Sequence, residues 1–129
     1  MKRLAFFYKT GSFADGVTYA LPPGAIPGLA SKRATPGQMI TIYGVGFGPV
    51  TPNIPAGQIV QQSNTLADSV QVSFGGLPAV LSYSGLAPGY VGLYQFNVYV
   101  PNVPASDTAA VTFSVGGVKG TQNLHIAVQ

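Results

Sequence analysis

The side chains able to do acid, base or nucleophilic chemistry are few. Asp15, Asp68 and Asp107 are the only carboxylates of the chain's side chains, His125 is the only imidazole, and there is no cysteine. Glycoside hydrolysis generally needs two carboxylates held at a fixed separation. These three lie far apart in sequence, and each sits in a turn-like context, as in Phe13-Ala14-Asp15-Gly16 and Ala105-Ser106-Asp107-Thr108. There an Asp side chain binds its own backbone. A Ser-His-Asp relay would have to recruit His125, yet no Gly-x-Ser-x-Gly elbow supplies the nucleophile. Zinc and calcium sites need clustered ligands, and none cluster along the sequence. Gly44-Val45-Gly46-Phe47-Gly48 looks like a phosphate loop but lacks the following helix and lysine, so it reads as a corner that needs glycine dihedrals. The expectation is a chain with no catalytic site, no metal and no cofactor.

The residues suited to binding are more numerous. Seven tyrosines and no tryptophan are present, so tyrosine must supply any aromatic platform. A ring with an apolar body and a polar tip suits an interface. Stacked on the C–H face of a pyranose, with amides beside it for the hydroxyls, it would bind sugar. In 92–100 the alternation turns Tyr94, Phe96, Val98 and Val100 to one face and Gln95, Asn97 and Tyr99 to the other. The second set forms a comb about 13 Å long, the reach of two or three sugar units. Tyr90 lies in the loop leading into it. Gln71, Tyr83 and His125 are candidates to join it from other strands, although strand order is not readable from sequence. The competing reading for each is a polar residue on a solvated face.

The elements that must position these residues read as strands. The chain has 17 Gly and 11 Pro at short intervals, and between them run alternating β-branched and aromatic residues. Strands are expected near 3–9, 38–43, 69–74, 79–83, 92–100, 109–115 and 122–128, the first belonging to a leading strand within 1–12. Val70, Val72 and Phe74, then Val111, Phe113 and Val115, then Leu124, Ile126 and Val128 are expected to face inward, with His125 outward. Seven strands at this spacing make an antiparallel two-sheet sandwich in a single domain over 1–129. The Pro/Gly-rich stretches 20–37 and 44–64 read as two long loops.

Composition narrows the partners. Only 7% of residues are charged, against about a quarter in an average domain. The net charge of +3 comes from scattered bases, with Lys32-Arg33 the only pair besides Lys2-Arg3. Nucleic-acid binding needs clustered phosphate contacts, so that partner is not expected. No apolar run approaches the roughly 18 residues of a membrane helix. The opening Leu4-Ala5-Phe6-Phe7 ends at Tyr8-Lys9, short of a signal-peptide core of about 7–15 residues.

Ala34-Thr35-Pro36-Gly37-Gln38-Met39-Ile40-Thr41-Ile42-Tyr43-Gly44-Val45-Gly46-Phe47-Gly48 resembles the opening of IPT/TIG immunoglobulin-like domains. Val70-Gln71-Val72-Ser73-Phe74-Gly75-Gly76-Leu77-Pro78-Ala79 is similar to their second signature, and Val98-Tyr99-Val100-Pro101 to a strand ending in proline. Gly85-Leu86-Ala87-Pro88-Gly89-Tyr90-Val91-Gly92-Leu93-Tyr94-Gln95-Phe96-Asn97-Val98 further resembles a C-terminal domain of large secreted soil-bacterial proteins, some of which carry glycoside hydrolases. The resemblance spans roughly 13–128. It implies an all-β, immunoglobulin-like antiparallel sandwich, secreted, and fused to a catalytic domain in a larger protein. The resulting expectation is a monomeric, non-catalytic module that binds β-glucan-type polysaccharide (cellulose, xyloglucan or mixed-linkage glucan) through Tyr99, Asn97, Gln95, Tyr90, Tyr83, Gln71 and His125. The alternative is a structural or adhesive immunoglobulin-like spacer, or a protein-interaction domain.

Overall fold

The computed structural model describes residues 6–13, 18–55, 57–120 and 124–129. Asp15, residues 3–5 of the first expected strand and residues 122–123 of the last lie outside them. Among the described residues every regular element is a strand. Seven run five residues or more: β1 (Phe6–Ser12), β4 (Met39–Val45), β7 (Val70–Phe74), β9 (Val80–Leu86), β10 (Tyr94–Tyr99), β11 (Ser106–Val115) and β13 (Leu124–Val128). They fall on the seven expected stretches. Six more are two-residue pairings: β2 (Tyr19–Ala20), β3 (Ser31–Lys32), β5 (Val50–Thr51), β6 (Thr65–Leu66), β8 (Leu77–Pro78) and β12 (Val118–Lys119).

The strands form two main sheets. The first has the order β3-β2-β1-β4-β10-β9. In the second, β8 pairs β7 and β7 pairs β11, while β12 and β13 share the other edge of β11. The long pairings are antiparallel. Alternation explains why the sheets pack face to face. Ile40, Ile42, Phe96 and Val98 point from the first sheet, and Val72, Phe74, Val111, Phe113, Val115, Ile126 and Val128 from the second, into one buried cluster. Phe47 fills the gap between the sheets, with ring centroids 4.7 Å from Phe96 and 5.8 Å from Phe113. The fold is therefore an antiparallel β-sandwich, with the inward faces expected of 70–74, 92–100 and 109–115. On β13 the rule needs an addition, because Ala127 is buried as well as Ile126 and Val128. Ala34 explains this. It forms a parallel bridge with Val128, and its N–H donates to the Ala127 carbonyl at 2.8 Å, so chain lies against β13 there.

Glycine places the tight turns. Gly75–Gly76 and Gly116–Gly117 join β7 to β8 and β11 to β12 with φ of 56° and 86°, then 55° and 84°. These paired positive values are those of a two-residue hairpin, and only glycine adopts them cheaply. The stretches 20–37 and 44–64 are not unpaired throughout. The first contains β3, parallel to β2, and the second contains β5, paired with β6. Asp107 is also not a turn residue. It lies in β11 and takes a two-pronged bond from Arg33, Nε to Oδ1 at 2.6 Å and Nη2 to Oδ2 at 3.2 Å.

Candidate functional site

The outer face of β4-β10-β9 carries the comb. Gln95 lies between Tyr43 and Gly85, Asn97 between Thr41 and Tyr83, and Tyr99 between Met39 and Val80. Cross-strand partners in an antiparallel ladder share a face, so these rows stand together. Thr41 Oγ1 donates to Asn97 Oδ1 at 3.1 Å, and Gln95 Nε2 donates to the same oxygen at 3.1 Å. Two donors on one atom fix the orientation of both amides. They leave Asn97 Nδ2 as a donor and Gln95 Oε1 as an acceptor with no partner among the described residues. A side-by-side donor and acceptor is the complement of two neighbouring hydroxyls, each of which both gives and accepts a proton.

Tyr99 stands at the end of the comb, 41% exposed, next to Val80 at 67%. The Met39 side chain crosses β10 to bring its sulfur within 3.8 Å of Ser82 Oγ on β9. Ser82 occupies a bulge, since Asn97 pairs with Tyr83 and Val98 with Leu81. The Tyr99 ring thus has apolar flanks on both sides and polar amides along the strand.

Tyr83 shares this face, but its hydroxyl is committed. It donates to the Leu86 carbonyl at 2.7 Å. Burial pushes the phenol's pKa up, and a bond with Asn64 partly offsets that. The network rests on Asn64, a residue sequence reasoning did not single out. Ala87 N–H bonds Leu93 O across to β10 at 2.7 Å, so Leu86 turns its own N–H and C=O to the open edge of β9. Asn64 Oδ1 accepts that N–H at 2.6 Å, and Nδ2 donates to that carbonyl at 3.3 Å. One amide side chain therefore imitates a strand. Gly85 makes room for it. A methyl group there would come within 2.6 Å of Asn64 Oδ1 and 3.0 Å of Tyr83 Oη.

The other three expected site residues lie elsewhere. Tyr90 is at the sandwich end where β10 begins, about 17 Å of strand from Tyr99. Its carbonyl accepts from Val60 N–H at 3.0 Å, and its ring is exposed beside Ile59 and Val91. Near it, a cleft of about 210 Å³ is lined by Asn53, Ile54, Gln58, Gly92 and Tyr94, among others. Gln71 on β7 and His125 on β13 are both exposed on the outer face of the second sheet. The core separates them from the comb. They cannot join it, because alternation along a strand says in or out but not which sheet.

Asp107 and Arg33 form a surface pair, in which the bond and charge of Arg33 hold the Asp107 carboxyl below its ordinary range. Among the described residues, no three His, Asp or Glu side chains are grouped to hold a metal ion. Compared with protein families, curated proteins and solved structures, the chain matches none of them.

Proposed function

We propose that this chain is a secreted, non-catalytic carbohydrate-binding module, with an immunoglobulin-like sandwich that tethers a fused enzyme to β-glucan-type polysaccharide. The observation that carries the reading is the Gln95–Asn97 couple beside the exposed ring of Tyr99. The unused acceptor and donor meet adjacent ring hydroxyls, and Tyr99 stacks on the next sugar. Thr41 holds the amides in place before ligand arrives, which lowers the ordering cost of binding. Tyr83 adds a ring edge rather than a free hydroxyl. Strand order supports the immunoglobulin-like part. Reading β1, β4, β10 and β9 as A, B, E and D, and β7, β11 and β13 as C, F and G, reproduces the division of a constant-type domain.

Affinity gel electrophoresis against soluble cellulose derivatives, xyloglucan, mixed-linkage glucan and mannan tests this. Retardation by at least one glucan is expected. Tyr99→Ala should weaken it about tenfold, and Asn97→Ala about three- to tenfold, the range for one lost hydrogen bond. No retardation on any of these polymers would sink the proposal. The exposed tip of Ile59, Tyr90 and Val91 favours the second reading, a spacer that contacts a protein neighbour. That reading requires silence on every glycan, together with a partner whose binding is lost in Tyr90→Ser.

A further inference from the structure

The outer face of the second sheet has a groove of its own. Gln71 on β7, Ser114 on β11 and Lys119 on β12 form one cross-strand row, since Ser114 pairs with both of the others. Ser73 and Thr112 form the next row, one pleat repeat away. With neighbouring strands about 4.8 Å apart, the rows cover roughly 10 Å by 7 Å. They line a shallow groove of about 260 Å³.

None of these five side chains has a hydrogen-bond partner among the described residues. This differs from the comb, where Thr41, Gln95 and Asn97 spend part of their capacity on one another. The groove therefore offers two kinds of group. Three hydroxyls and an amide both donate and accept. One ammonium only donates, and it carries charge. Phe113 also borders the groove, but its ring is buried in the core and offers no platform for stacking a neutral sugar. The groove also lacks the deep apolar pocket that anchors a peptide side chain. Asp107 is paired with Arg33, and Lys119 has no ion pair among the described residues.

We propose that this groove is a second binding site, distinct from the comb, for an acidic polysaccharide bearing uronate rings. Lys119 meets the ring carboxylate with a charge-assisted bond. Ser114, Thr112, Ser73 and Gln71 meet the hydroxyls of the same ring and its neighbour. The footprint fits one or two pyranose rings. The site belongs to the opposite side of the sandwich from Tyr99, so it does not depend on the neutral-glucan reading.

Affinity electrophoresis and titration calorimetry of the intact chain with polygalacturonate test it. Fully methyl-esterified polygalacturonate and polyglutamate serve as comparison polymers. Retardation by polygalacturonate is expected, weakening as salt rises. The methyl ester should bind at least tenfold more weakly. Lys119→Gln should cost about tenfold, while Lys32→Gln, which removes the same charge from the first sheet, should change little. Ser114→Ala should cost a few-fold. Tyr99→Ala should leave this binding intact while it weakens glucan binding about tenfold, so the two proposals fail separately. The proposal is overturned if polygalacturonate is not retarded, or if Lys32→Gln costs as much as Lys119→Gln, since net charge alone would then explain binding. Equal affinity for polyglutamate would overturn it too and point to an acidic protein segment.

Discussion

Replacing Asn64 by alanine tests the edge arrangement of β9 directly. Asn64 is 7% exposed and spends its amide on Leu86 N–H, Leu86 O and Gln62 O. In Asn64→Ala the Leu86 carbonyl keeps the Tyr83 hydroxyl, but the Leu86 N–H loses its acceptor. Leu86 is itself buried, so the orphaned donor costs about 1–3 kcal/mol. The two longer bonds, each 3.3 Å, belong at the low end of the hydrogen-bond range, about 0.5 kcal/mol apiece. The expected loss is about 3 kcal/mol, a large part of the roughly 5–15 kcal/mol that holds a domain together. For a domain of this size that is about 10 °C in Tm. Urea denaturation followed by tyrosine fluorescence, with calorimetry for Tm, measures it. Tyr83→Phe alone should cost about 1 kcal/mol, because Asn64 still serves the Leu86 carbonyl. Combined with Asn64→Ala it should cost more than that, because the carbonyl is then bare. A loss below about 0.5 kcal/mol for Asn64→Ala, the scale of ordinary surface changes, would refute the reasoning.

Three further outcomes are expected. Phe47→Ala should cost about 3–5 kcal/mol in urea denaturation, since it empties the ring-lined space between the two sheets. Gly85→Ala should destabilise by about 1–3 kcal/mol in the same assay, as the new methyl displaces Asn64 and the Tyr83 hydroxyl. The Asp107 carboxyl should titrate below the ordinary carboxylate range by NMR and return toward it in Arg33→Gln. The folded state depresses that pKa, so the pair's small contribution is full above the unfolded carboxylate's pKa and fades as pH falls through the folded value.

Much of the scaffold was legible because period-two alternation is a local signal. Val70, Val72 and Phe74 announce a buried face without reference to any other strand. The six two-residue strands gave no signal, because two residues cannot alternate. Strand order was silent too. That is why Gln71 and His125 read as candidates to join Gln95, although they lie across the core from it. Asn64 was invisible for a related reason. Its work is done on Leu86, 22 residues further along, and an amide in a polar loop looks like solvent-facing decoration. Asp107 looked like a turn residue from its Ser and Thr neighbours, and its partner Arg33 lies 74 positions away. The comb itself was legible as far as direction. What sequence could not supply was that Asn97 Oδ1 is already occupied, which decides the atoms left for a ligand.

The way β9 is finished bears on what happens when many copies of the chain are crowded together. A sheet grows into a fibril by adding strands to a bare edge, and each addition needs a row of free N–H and C=O groups. Here Asn64 and Thr65 occupy that row at Leu86 and Ser84, and the Ser82 bulge distorts the rest of the strand. The opposite rims end in the two-residue strands β3, β8 and β12, of which β8 contains a proline and β3 and β12 each a lysine. Ala34 lies against the end of β13. A chain with so few charges has little electrostatic repulsion to keep its copies apart. What opposes edge-to-edge addition is therefore this geometry, with the Asn64 amide, the Thr65 hydroxyl and a bulge along its longest rim.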